Sequence, residues 1–167
     1  DRRATPLLVD ALSDRAPETR IYAALALGRL GDPAAVPPLL QVFSTDERDV
    51  RKAAAYALGE TRDPRALPAL TAALSDPIAD VRYNAAIAVA RYGDPRAIGV
   101  IREMLDRSRL DRVPGMRPEQ KDATMLAAIP ALEKIAPEEA KAILTPLAQK
   151  DPSLQVRSAA TEALTKR

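Results

Sequence analysis

Residues 80–95 read DVRYNAAIAVARYGDP. Thirty-one residues earlier, residues 49–64 read DVRKAAAYALGETRDP. Thirty-one before that, residues 18–33 read ETRIYAALALGRLGDP. Three copies at one fixed period mark a repeat architecture, in which each unit covers the apolar face of its neighbour. The period divides the chain into repeats at 1–31, 32–62, 63–93, 94–135 and 136–167, read together as one domain over 1–167.

Each repeat carries two helical patterns. Asp32-Pro33, Asp63-Pro64 and Asp94-Pro95 announce the first helix. A carboxylate at the cap accepts the free N–H groups of the first turn, and proline at the next position loses only an N–H that was unpaired anyway. Asp1 stands at the same phase. Leu8, Leu39, Leu70 and Ile101 form one apolar column, and Leu12, Phe43, Leu74 and Leu105 a second. Four residues separate the two columns, so they share a helix face. Pro6, Pro37 and Pro68 fall about one turn in and should bend or restart that helix. A polar turn follows, and then the second helix with its arginine column Arg20, Arg51, Arg82 and Arg157. The pairs Ala23-Ala24, Ala54-Ala55 and Ala85-Ala86 come next, with Leu27, Leu58 and Val89 completing the stripe. Gly31 and Gly93 stop the helix, as glycine does at the position past a helix end.

The fourth repeat departs from the period. It is 11 residues longer than the others, and residues 107–118 read as an inserted loop by their Pro114-Gly115 and Pro118. Thr124 replaces the column arginine, Ala127-Ala128 stand for the alanine pair, and Pro130 lies inside the helix. A kink or a 3₁₀ turn is expected near Leu126. The last helix carries Ser158, Thr161, Glu162, Thr165 and Lys166, polar enough for a capping repeat. Leu7, Leu8 and Val9 show no such softening, and the chain opens at Asp1 on a repeat boundary; further repeats or another domain upstream are the expectation.

Composition narrows the chemistry. There is no cysteine and no histidine among the 167 residues. Disulfides, thiolate metal sites, thiol nucleophiles and histidine general bases are therefore absent. Aromatic residues make up only 3% of the chain, so alanine and leucine must fill the core, which suits close-packed helices. Net charge is +2, which gives no global pull towards nucleic acid or anionic membrane. No apolar run approaches a membrane span. No phosphate-cradling glycine loop and no nucleophile–base pair appear, so the chain reads as no enzyme, without cofactor or metal. A cytoplasmic setting is the expectation.

Val50-Arg51, Ala54-Ala55, Ala57-Leu58-Gly59 and Gly31-Asp32-Pro33, at this period, resemble the short HEAT-like repeats first named for phycobilisome lyases. The resemblance covers the whole chain except residues 107–118. It implies an all-α fold, a right-handed α-solenoid of about five helix pairs and ten helices, with the second helices lining a concave face. Members of the family include protein-binding scaffolds, chromophore lyases, DNA-repair proteins and a hydroxylase with His-Glu metal motifs. The last branch is closed to a chain without histidine.

Two features of the second helices compete for a role. The arginine column, with Glu18, Asp49 and Asp80 two residues before three of its members, reads first as a structural Asp–Arg ladder and second as an anion-binding row. The positions one, two and five places after each arginine avoid the Ala–Leu columns. They carry Ile21, Tyr22 and Leu25, then Lys52, Ala53 and Tyr56, then Tyr83, Asn84 and Ile87, with Arg91 beyond. Such a mixed stripe with exposed tyrosine suits a protein partner, because tyrosine buries much area at low entropic cost. The leading reading is a non-enzymatic protein-interaction scaffold that binds a partner on that stripe. The alternatives are nucleic-acid binding, against which the charge balance argues, and a chromophore lyase or chaperone of the phycobilisome-lyase type.

Overall fold

A computed structural model describes residues 1–166; Arg167, the last residue assigned to the fifth repeat, lies outside the described residues. All regular structure among them is helical. Eleven α-helices follow one another: α1 (Thr5–Ala11), α2 (Pro17–Leu30), α3 (Val36–Thr45), α4 (Arg48–Thr61), α5 (Leu67–Ala72), α6 (Ala79–Arg91), α7 (Ile98–Met104), α8 (Arg107–Leu110), α9 (Pro118–Ile135), α10 (Pro137–Lys150) and α11 (Leu154–Thr165). They fall into two compact units, residues 1–92 and 93–167.

In the first unit α1, α3 and α5 are the first helices of three pairs, and α2, α4 and α6 the second. Asp1, Asp32 and Asp63 each accept the N–H two residues on, at 3.0, 3.0 and 2.9 Å. That contact opens a short 3₁₀ turn (Arg2–Ala4, Pro33–Ala35, Pro64–Ala66), and Pro6, Pro37 and Pro68 then restart the chain as an α-helix. The restart expected from those prolines is therefore what occurs. The Thr5 hydroxyl donates to Asp32 at 2.7 Å, tying α1 to the cap of the next pair.

Leu27, Leu39, Leu58, Leu70 and Val89 are fully buried, each contributing about 1.5–3 kcal/mol. The alanine pairs of α2, α4 and α6 are buried with them. Their use is close approach. A Cβ added to Gly28 would sit 2.7 Å from Ala57 Cα, and one added to Gly59 would sit 2.7 Å from Ala88 Cβ. The second helices thus touch backbone to backbone at these points. Gly31 ends α2 in the left-handed region at φ 59°, as expected of it; Arg62 takes the same conformation after α4, at φ 51°. Tyr92 closes the unit: its hydroxyl lies 2.9 Å from the carbonyl oxygen of Asp63 and 3.1 Å from that of Leu58, one proton serving both.

The second unit corrects one expectation and narrows another. Residues 107–118 are not all loop. Asp106 caps the chain by accepting from the N–H groups of Ser108 (3.0 Å) and Arg109 (3.4 Å), and α8 follows, anchored by the fully buried Leu110. Pro118 already belongs to α9. Residues 111–117, with Gly115 at φ 73°, keep the loop character read from the composition. No 3₁₀ turn appears near Leu126 either: α9 runs unbroken through Pro130. Pro130 is exposed, while Met125, Ala128, Ile129, Ala131 and Leu132 around it are buried, so packing holds the helix across the missing hydrogen bond. The expected alanine pair is split there, with Ala128 buried and Ala127 exposed.

Gly59→Val should be among the most damaging single changes in the first unit, because the atoms it overfills, the Cβ and Cα of Ala88, are fixed by the backbone and cannot rotate away. We predict a loss of at least about 1–3 kcal/mol, the usual cost of overpacking. Chemical denaturation of the variant measures it, and a stability equal to the parent would mean that α4 and α6 do not approach as closely as described.

Candidate functional site

Arg20 and Arg51 of the arginine column make structural contacts, and their partners are not the acids expected. Arg20 on α2 reaches Asp46 with Nε at 2.9 Å and Nη2 at 2.8 Å, and Glu47 at 2.8 Å. Arg51 on α4 pairs with Asp76 and donates to the Phe43 carbonyl at 3.0 Å. Asp46 and Asp76 lie in the turn before the following second helix, so each rung joins neighbouring pairs. Glu18 is exposed, and Asp49 pairs with its neighbour Arg48 at 3.3 Å. The expected acids lie two residues before the arginine on its own helix, where spacing of two does not bring side chains together.

The candidate stripe lies away from the buried alanine pairs. An open groove of about 550 Å³ is lined by Ile21, Leu25 and Arg29 of α2, Asp49, Lys52, Ala53 and Tyr56 of α4, and Asn84 of α6. Six residues of the expected stripe meet there: Ile21, Leu25, Lys52, Ala53, Tyr56 and Asn84. Tyr22 is 72% exposed on the same helix but outside the lining. Ile87 is half-buried and also outside it. Arg91 backs the groove: its guanidinium lies 4.9 Å from the centre of the Tyr56 ring and 2.6 Å from Glu60, which fixes the ring from behind. Asn84 donates to the Asp80 carbonyl at 2.8 Å, leaving its amide oxygen for the groove.

Tyr83 corrects the stripe. It is 3% exposed, and Ala53 only 6%. Tyr83 follows its column arginine directly and so lies 100° from it around the helix, at the margin of the buried face. A large apolar ring at a margin lies down into the core. Tyr83 therefore belongs to the core and leaves the candidate surface. Sequence reasoning also missed Arg29, which lies four residues after Leu25 and eight after Ile21. That spacing keeps all three on one face, and it was the available signal.

The second unit has a larger opening, about 800 Å³, between α7–α8 and α10, lined by Leu105, Ile143, Pro146 and Leu147 with the Arg102–Glu139 ion pair at its edge. Among the described residues no cluster of acidic side chains could hold a metal ion, and no helix is long and apolar enough to cross a membrane.

The family profile for HEAT repeats matches residues 1–59 and 36–114, more than half of the chain. The chain belongs to the HEAT-repeat family. Among solved structures it is similar to a chain in the complex of CpcE and CpcF of phycocyanin lyase from Nostoc sp. PCC7120, with 27% identity and a TM-score of 0.72. The match covers 97% of this chain and 64% of that one, so this chain spans less than two thirds of that relative's length. No curated protein matches the sequence.

Asp32, Asp46, Asp63 and Asp94 are held below their ordinary range. Arg65 holds Asp63 at about 2 through a side-chain hydrogen bond. Asp32 is lowered first by the Thr5 hydroxyl, and Asp94 first by Arg96. For Asp46, burial works upward, but hydrogen bonds from Arg20 and the Glu47 N–H outweigh it and the net shift is downward. A lowered folded-state pKa means that the unfolded chain binds more protons in acid. The stabilisation is complete above the unfolded value of 3.8 and is lost as pH falls from there through about 2. With no histidine to titrate, we expect a melting temperature that is flat between about pH 5 and 8 and falls below about pH 4, read by circular dichroism. A transition centred near pH 6 would contradict this.

Proposed function

We propose that this chain is a protein-binding HEAT-repeat module of the phycocyanin-lyase type, which holds a second protein subunit in the groove formed by α2, α4 and α6. The observation that carries the reading is the groove itself: apolar at Ile21, Leu25 and Tyr56, with cations at Arg29 and Lys52 against one carboxylate at Asp49. The charge excess fits a partner surface that is apolar at its centre and acidic at its edge. The similar solved chain belongs to a complex of two named proteins, which supports a protein as the occupant. In this reading the chain supplies binding and positioning, and no side chain of the groove makes or breaks a bond.

The same groove favours a second reading, the handling of a linear tetrapyrrole. Its volume of about 550 Å³ falls within the range of small-molecule sites, and Arg29 and Lys52 would meet propionate groups above an apolar floor. Visible absorbance after co-expression with a bilin and its acceptor protein, lost in Lys52→Glu, would favour it.

For the leading reading the decisive variants are Tyr22→Ala, Lys52→Glu and Tyr56→Ala. Tyr22 is exposed and Lys52 solvent-facing, so melting should hardly change for these two. We expect Lys52→Glu and Tyr56→Ala each to weaken partner binding by about 1–2 kcal/mol, roughly 5- to 30-fold. The test compares capture by the parent and by the variants from lysate of the source organism. A protein held by the parent and lost from both groove variants supports the reading; one held equally by all of them removes the site from this groove.

A further inference from the structure

Three turns of this protein share one construction; the turn at Asp46 differs, its carboxylate accepting from the next residue, Glu47, at 2.8 Å. An aspartate in the turn before a second helix accepts the N–H two residues on: Asp14 from Ala16 and Asp76 from Ile78 at 2.8 Å, Asp151 from Ser153 at 2.9 Å. The column arginine six residues later donates to that aspartate's carbonyl: Arg20 to Asp14 at 2.9 Å, Arg82 to Asp76 at 2.7 Å, Arg157 to Asp151 at 2.6 Å. The outer edge of the carboxylate is left for the column arginine of the preceding repeat, as Arg51 meets Asp76.

By this construction Asp151 should receive the residue at position 124. That residue is Thr124, whose hydroxyl turns back to the Gln120 carbonyl at 2.8 Å. Asp151 is only 5% exposed, and a carboxylate so placed is costly unless a cation and hydrogen bonds meet it. Arg107 meets it. Its Nε lies 3.0 Å and its Nη2 2.7 Å from the two carboxylate oxygens, the forked geometry that best suits an arginine–carboxylate pair. The same Nη2 reaches Asp122 at 2.8 Å. Arg107 is not on a second helix. It is the first residue of α8, inside the extra segment. The side chains of Arg107 and Arg51 are equally exposed, at 21% each, so the substitute occupies an equivalent environment. Lys121 at the start of α9 pairs with Asp111 at 2.6 Å and pins the other end of the segment.

We propose that the extra segment of the fourth repeat is a clamp. It supplies from outside the repeat, through Arg107, the cation that position 124 lacks, and so locks the turn before α11 onto α9. The clamp accounts for two departures from the period together: the loss of arginine at 124 and the gain of residues after α7.

Three variants test this, with hydrogen exchange of the amides at 151–157 as the readout. Arg107→Ala should speed their exchange about tenfold or more while the amides of α4 in the first unit stay as in the parent. Thr124→Arg in the same chain should bring exchange back towards the parent, because a column arginine then reaches Asp151 as Arg51 reaches Asp76. Thr124→Arg alone should fold normally. Unchanged exchange in Arg107→Ala would overturn the clamp. So would failure of Thr124→Arg to restore protection, since Arg107 would then be doing something other than a column arginine's work. If Arg107→Ala does not fold, a folded Arg107→Ala/Thr124→Arg double variant upholds the proposal, and an unfolded one refutes it.

Discussion

In the turns before α6 and α11 a carboxylate is asked to do two things at once. It closes its own turn by accepting an N–H two residues on, and it receives an arginine from the preceding helix pair. Asp76 does both with Ile78 and Arg51, and Asp151 does both with Ser153 and Arg107. The pairing matters because the core it sits beside is made largely of alanine and leucine. Such a core provides burial but little shape, and a stack of similar helices could slip along their axes at small cost. A charged, forked, partly buried contact tolerates no such slip. The rungs therefore set the register that the apolar columns leave loose, a specificity role of the kind that buried polar pairs serve elsewhere.

The tight side of the first unit and its open side follow from one choice of residues. Gly28 against Ala57 and Gly59 against Ala88 bring the second helices into backbone contact. Helices so close along one edge leave room for larger side chains only on the other face, and that is where Ile21, Leu25 and Tyr56 line the groove. Arg91 behind the Tyr56 ring holds this aromatic surface in one orientation, so less conformational freedom remains to be lost when a partner arrives. The HEAT-repeat fold by itself names no function, since one solenoid scaffold serves many binding tasks. What distinguishes this chain is the residues placed on that face: two cations, one carboxylate and a fixed tyrosine.

Much of this was legible in the linear chain. The 31-residue period, the Asp-Pro openings, the proline restarts and the alanine pairs describe local chemistry that repeats, and local chemistry acts through neighbours three or four residues away. Six of the groove residues were also named from their phase alone. The partners of the arginines were not, because the acids nearest in sequence are not nearest in space. Arg20 and Asp46 are 26 residues apart, and Arg107 and Asp151 are 44 apart.

By itself the sequence determined the class of fold, the 31-residue period of its repeated motifs, and the absence of any thiol or imidazole. These depend on residue type and on short-range periodicity, which a one-dimensional reading contains. Only the tertiary structure decided that Tyr83 is core and not surface, that residues 107–110 are a helix, and that an arginine from an irregular segment completes the rung at Asp151. Each of these is settled by what a side chain meets from another helix. A position at the margin of a helix face can turn either way until its neighbour is in place, and a buried carboxylate accepts whichever cation the packing delivers.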